Sequence, residues 1–275
     1  MATAQDTGVD AIAIAVAQFA PGSDKAENLA AIRRLAATAA ARGAQLVVFP
    51  EYSSFFTPEL GQAALDAAEP LDGPFVDGVA EVGDALGVHI VAGMLERTDD
   101  PSRFSNTIVA IAPGVGVEAR YRKTHLYDAF GQRESDWVVA GPIEEPQTFA
   151  IGQLTVGIQT CYDLRFPEVT RRIVDAGAEV VLVPSEWVRG PLKEQHWRTL
   201  VTARAIENTV YVAAADQAPP IGVGNSMIVD PMGVELATIG EETDVAVAWI
   251  SKSRLAQVRS TNPALALRRF AVVPR

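Results

Sequence analysis

Short, almost wholly apolar runs recur along this chain: AIAIAVAQ (11–18), QLVVFP (45–50), VHIVAGM (88–94), NTIVAIA (106–112), LTVGIQ (154–159), EVVLVP (179–184), VYVAAA (210–215), NSMIVD (225–230) and VAVAWI (245–250). Strands apolar on both faces must be covered on both faces, which calls for helices layered over a sheet. Helical patterns lie between them, at 23–43 from a Ser23 or Asp24 cap to Gly43, then at about 60–69, 75–86, 167–176 and 193–208. The alternation predicts an α/β fold.

Two segments also repeat one another. RGAQLVVFPE begins at Arg42 and AGAEVVLVPS begins 134 positions later at Ala176, and they align without a gap. Each is a helix end with its glycine, then a strand, then proline. If two similar halves pack about a pseudo-twofold axis, the residues just past equivalent strands face a common crevice, where α/β sheets bind ligands. Glu51 and Ser185 hold those positions, and Cys161 follows another strand. No linker or low-complexity tract divides the halves, so one domain over 1–275 is expected, with 1–9 as a flexible leader.

The net charge is −11, from 23 Lys and Arg against 34 Asp and Glu, so no basic field exists to attract nucleic acid or an acidic membrane surface. The first ten residues lack the charged start and apolar core of a signal peptide, and no stretch approaches the roughly 20 apolar residues of a membrane span. A cytoplasmic protein is expected.

One cysteine cannot form an intrachain disulfide, and soft ligands are too few for a cysteine-rich zinc site. Cys161 is therefore an inert packing residue or a reactive thiol. It sits between strand LTVGIQ and DLRFPEVTRRIVDAG, where Pro167 suits the first turn of a helix. Such a strand-to-helix turn presents a side chain at the sheet rim beside free N–H groups. A reactive thiol needs a base. His89 reads as a core histidine, whereas His125 and His196 lie in polar surroundings and could line a cleft; nothing singles out one of them. Glu51, directly after LVVFP, is a carboxylate alternative, because a dry site raises a carboxyl toward neutrality. Lys123, in RYRKTHLYD, reads as a solvated lysine or as a buried ammonium able to stabilise thiolate and oxyanion.

Taken in order, VFPE (48–51), YRKTHLYD (121–128) and TCYDLRFPE (160–168) resemble the three catalytic motifs of the nitrilase, or carbon-nitrogen hydrolase, superfamily. HWRTLVTARAIENTVYV (196–212) and GNSMIVDPMG (224–233) extend the resemblance over most of the chain. It implies a four-layer αββα sandwich with two pseudo-symmetric halves, a triad of Glu51, Lys123 and Cys161, and no metal or organic cofactor. Glu134, in FGQRESDW, matches a second glutamate that the superfamily often uses near the lysine. Members commonly dimerise, so a homodimer or higher homo-oligomer is expected, with about 255–275 as a C-terminal arm on the partner or on its own domain.

CYDLRFPE looks like the amidase branch, which includes omega-amidases and deaminated-glutathione amidases, whereas true nitrilases commonly carry Cys-Trp-Glu. The resemblance thus implies a small amide as substrate, cleaved to an acid and ammonia through a cysteine thioester. N-carbamoyl amino acids and nitriles are alternatives with the same triad. A redox-sensing thiol would need an external resolving cysteine and would leave Glu51 and Lys123 unexplained. An inactive binding module would be expected to lack a triad residue. Tyr52, Phe55, Phe56, Tyr127, Tyr162 and Trp187 flank the motifs and are candidates for pocket walls. Ser185 and Arg189 follow the second repeat strand, and Arg189 reads as a surface arginine or as a ligand for a substrate carboxylate. Asp163 and Arg165 are expected to fix the turn through local ion pairs.

Overall fold

The computed structural model describes residues 10–274; the expected leader at 1–9 lies outside the described residues. The apolar runs form two six-stranded sheets. The first contains β1 (Ala11–Gln18), β2 (Leu46–Val48), β3 (His89–Arg97), β4 (Phe104–Ala112), β5 (Gly116–Arg122) and, at its edge, β12 (Asp244–Ser251), in the order β12-β1-β2-β3-β4-β5. The second contains β6 (Thr148–Ile151), β7 (Leu154–Ile158), β8 (Val180–Ser185), β9 (Tyr211–Asp216), β10 (Met227–Val229) and β11 (Glu235–Thr238), in the order β6-β7-β8-β9-β10-β11. Across both sheets the pairings run antiparallel, parallel, parallel, antiparallel, antiparallel. The pseudo-symmetry is therefore one of topology, and β2 and β8, the strands of the repeated segments, hold equivalent places in it.

One apolar cluster, including Ile14, Val48 and Ile108 from one sheet and Ile158, Leu182 and Ile228 from the other, fills the space between the sheets. A second joins the outer face of the first sheet to α1 (Lys25–Ala41) and α3 (Pro74–Leu86), and a third joins the second sheet to α4 (Pro167–Asp175) and α5 (Lys193–Asn208). These are the four layers, helix, sheet, sheet, helix. Asp24 caps α1, accepting from the N–H groups of Ala26 and Glu27 at 2.8 and 3.1 Å. Pro167 opens α4 as expected. The short α2 (Gln62–Ala67) packs an aromatic cluster of Tyr52, Phe55, Phe56 and Phe104 beside the sheet edge.

The expected arm begins later than residue 255, because Lys252–Thr261 form α6, held by buried Leu255 and Val258. Only the segment after Asn262 lacks regular structure. It runs back along its own domain, where Arg268 pairs with Asp175 at 2.5 Å, while Leu267, Phe270 and Val273 stay exposed.

Candidate active site

The ends of β2, β5 and β7 bring three motif residues together. Lys123 directly follows β5, Glu51 lies past Phe49 and Pro50 at the end of β2, and Cys161 begins a short 3-10 helix, Cys161–Arg165, after β7. All three are buried, as is Glu134. The Lys123 Nζ donates to Glu51 Oε1 at 2.9 Å and lies 2.9 Å from Glu134 Oε2, so one ammonium bridges two carboxylates. Asn106, on β4, donates its Nδ2 to Glu51 Oε1 at 2.6 Å and to Glu134 Oε1 at 3.0 Å. Tyr52 Oη and the Tyr127 N–H also donate to Glu134, each at 2.6 Å.

Glu51 is held at both ends. The Glu186 N–H donates to its Oε2 at 2.7 Å, and Gln217 Nε2 donates to its carbonyl at 3.0 Å. Two backbone features keep the site tight. Tyr52 has φ 58° and Cys161 φ 42°, both in the left-handed region, which costs roughly 1–3 kcal/mol for such residues and commonly marks functional sites. Gly93 on β3 passes so close that a Cβ there would lie 2.5 Å from Tyr52 N and 2.7 Å from Glu51 Cα.

The electrostatics follow from burial and neighbours. Burial works against the Lys123 ammonium, yet the charges of Glu134 and Glu51 outweigh it and hold Lys123 well above its ordinary value. Burial opposes the Glu134 carboxylate too, but Lys123 and the Tyr52 and Tyr127 donors prevail and lower it. The Cys161 thiol is pushed well up, first by burial and then by the Glu51 charge beside it, against the pull of Lys123. The resting thiol is therefore neutral; its Sγ donates to the Glu186 carbonyl at 3.4 Å. Forming a thiolate requires handing the proton to a neighbour, and Glu51 is the carboxylate whose charge acts most strongly on the thiol.

A cavity of about 340 Å³ opens onto Cys161, Lys123 and Glu134, a size suited to a small molecule. Tyr52, Phe56, Tyr127, Tyr162 and Trp187 line it; Phe55 is buried in the aromatic cluster. Ser185 and Arg189 do not line it. Ser185 is fully buried with its Oγ donating to the Val183 carbonyl at 3.3 Å, because the register of β8 turns it inward. Arg189 lies outside on Glu241 and Glu194, at 2.5 and 3.7 Å, where exposed acids offer an easier partner than a buried pocket. None of the three histidines lines the cavity. His125 binds Asp163 through Nδ1 at 2.7 Å and stacks on Phe166, which with the Tyr121 hydroxyl on Asp163 pins the turn.

Arg165 departs from the expected ion pair. Its guanidinium lies 4.7 Å from the Trp187 ring centroid and 5.7 Å from that of Phe130, with its Nε buried and unpartnered. Lys193, at the start of α5, is buried beside it with its Nζ 4.1 Å from the Phe130 centroid and donating to Tyr127 Oη at 2.8 Å. Neither cation pairs with a carboxylate among the described residues. Burial and then the Arg165 charge hold Lys193 below its ordinary value. Sequence reading missed Asn106, Lys193 and Glu186. Glu186 alone had a signal, since it directly follows Ser185 at the end of the repeated strand.

Two sheets sandwiched by helices, with a buried thiol flanked by a carboxylate and an ammonium, define equipment for acyl transfer. A model of the family described as carbon-nitrogen hydrolase matches residues 13–260. A hydrolase from Mycobacterium tuberculosis is 38% identical over 262 residues, spanning 90% of this chain and 91% of its own. The deaminated glutathione amidase of Escherichia coli O157:H7 is 37% identical over 264 residues, spanning 94% and 97%. The crystal structure of an amidase from Nesterenkonia sp. superposes with a TM-score of 0.77 at 26% identity, covering 97% of this chain and 100% of its own. The chain belongs to the carbon-nitrogen hydrolase family. Within that family it is an amidase, an enzyme that hydrolyses the carbon–nitrogen bond of amides.

Proposed function

We propose that this amidase works through Cys161 as nucleophile, with Glu51 as general base and acid and Lys123 as the oxyanion-stabilising cation, on small amides that carry a carboxylate. Glu51 takes the thiol proton as Sγ bonds to the amide carbonyl carbon. Lys123 and the Tyr162 N–H hold the oxyanion. The C–N bond then breaks as Glu51 passes the proton to the leaving ammonia. Water, losing a proton to Glu51, forms the new C–O bond; the C–S bond breaks and the proton returns to the thiol. Glu134 keeps Lys123 charged and aimed.

The observation that carries the substrate class is the pair of cavity cations, Arg165 and Lys193, that repel one another and lack a carboxylate partner among the described residues. A substrate carboxylate would relieve that repulsion, with Arg165 able to bind it in a bidentate way. The name of the Escherichia coli relative, an amidase of deaminated glutathione, is consistent with this class. Ammonia release from succinamate and glutaramate should exceed that from butyramide at least tenfold. Faster release of ammonia from N-carbamoyl-β-alanine or from butyronitrile would overturn the reading. The enzyme is further proposed to act as a homodimer in the cytoplasm; the exposed apolar side chains of the C-terminal segment support the dimer, and among the described residues no helix is long and apolar enough to cross a membrane.

A further inference from the structure

The cavity contains a carboxyl group that the mechanism above does not use. Glu186 lines it, immediately after β8. Its backbone is gripped by the reaction centre on both sides, the N–H donating to Glu51 and the carbonyl accepting from Cys161 Sγ. Glu186 is therefore held by its backbone beside the attacking sulfur. Yet its Oε1 is sequestered from solvent with no hydrogen-bond partner. A buried polar atom left unpaired is destabilising, and a native protein that keeps one calls for an explanation.

The groups facing Glu186 decide its chemistry. Glu51 and Glu134 are acidic, Lys123 and Lys193 basic, and Cys161, Tyr52, Tyr127 and Asp216 also lie in its surroundings. Burial first, and the Glu51 charge second, push Glu186 well above the ordinary carboxyl value, with the two lysines opposing. Asp216 is also pushed well up, chiefly by burial. A carboxyl driven toward its protonated form in a cavity wall gains a hydrogen to donate.

We propose that Glu186 is a specificity-determining residue that hydrogen-bonds an oxygen on the acyl chain of the amide, close to the scissile carbonyl. This rests on the amidase reading and extends it. The pocket then asks for three features in one substrate: an amide at Cys161, an anion at Arg165 and Lys193, and an oxygen between them for Glu186. A plain hydrocarbon spacer leaves the Glu186 carboxyl unpaired, and sites built to bond a polar group discriminate strongly against substrates lacking it.

The test compares succinamate with its 2-hydroxy and 3-hydroxy derivatives, which share the amide and the carboxylate and differ only by one oxygen. Ammonia release gives kcat/KM for wild type, Glu186→Leu and Glu186→Gln. The wild type should prefer one hydroxy compound over succinamate by tenfold or more. Glu186→Leu should lose that preference, falling tenfold or more further on the preferred hydroxy compound than on succinamate; Glu186→Gln, which retains a donor of the same shape, should keep most of the preference. Equal losses on all three amides, or an unchanged preference in Glu186→Leu, would overturn the proposal. The same ratios are read as affinities by ligand-observed NMR on Cys161→Ala and Cys161→Ala/Glu186→Leu. A preference that appears there and disappears with the leucine supports Glu186 even if none of the three is hydrolysed, whereas hydrolysis without any preference rejects Glu186 and leaves the amidase reading intact.

Discussion

Replacing Lys123 by methionine tests how the buried charges hold one another. The ammonium sits 2.9 Å from Glu51 and 2.9 Å from Glu134, all three groups being buried. Methionine fills a similar volume but leaves two carboxylates facing each other with only Asn106, Tyr52 and backbone donors. Removing one partner of a buried ion pair costs about 3–5 kcal/mol. At roughly 2–4 °C per kcal/mol for a domain near this size, the melting temperature should fall by about 6–20 °C at neutral pH. The pH dependence should also change sign. In the wild type Glu134 is lowered, so its contribution is complete above the unfolded carboxylate value and is lost as pH falls through the lower folded value. Without Lys123, burial dominates and raises Glu134, so its contribution is complete below the unfolded value and is lost as pH rises through the folded one. Thermal melts from pH 4.5 to 8 should therefore show Lys123→Met gaining stability toward acid, while the wild type loses it. Lys123→Met/Glu134→Gln should recover part of the neutral-pH loss. A melting temperature within about 2 °C of wild type at neutral pH, or no change in the pH trend, would refute the reasoning.

Tyr52→Phe removes a 2.6 Å hydrogen bond to an ionised Glu134, a class of bond contributing about 1.5–3 kcal/mol, and should lower kcat with little change in KM for the best amide. Gly93→Ala places a Cβ against Tyr52 N and Glu51 Cα, so it should reduce kcat at least tenfold, and a crystal structure should show the Glu51 segment displaced. Arg189→Ala removes only surface pairs and should leave kcat/KM within about twofold, whereas Lys193→Ala should raise KM for carboxylate-bearing amides by tenfold or more. Light scattering on the purified protein should give a mass of twice the chain or more; a monomer would reject the proposed dimer.

The central strands were legible because they are apolar on both faces, and the repeat at Arg42 and Ala176 marked β2 and β8 as equivalents. The edge strands β6 and β11 were not, since half-exposed strands such as ELAT carry little apolar signal. Helix α6 escaped for the same reason, burying only Leu255 and Val258. At the site, Glu51, Lys123 and Cys161 stood out because each belongs to a motif at the end of a strand. Asn106 looked like an ordinary strand residue, and Lys193 and Glu186 like surface charges. Their roles depend on β4, β8 and α5 meeting at one cavity, which local sequence does not express. Ser185 shows the converse: the position past the strand was read well, but one residue of register separates an inward serine from the cavity-facing Glu186 beside it.

The account stands most directly on the thiol of Cys161. Ammonia release by Cys161→Ala, measured on whichever amide the wild type turns over fastest and with the fold checked by circular dichroism, should fall more than about a thousandfold. A variant that keeps its native spectrum and a rate within tenfold of wild type would contradict nucleophilic catalysis by this residue.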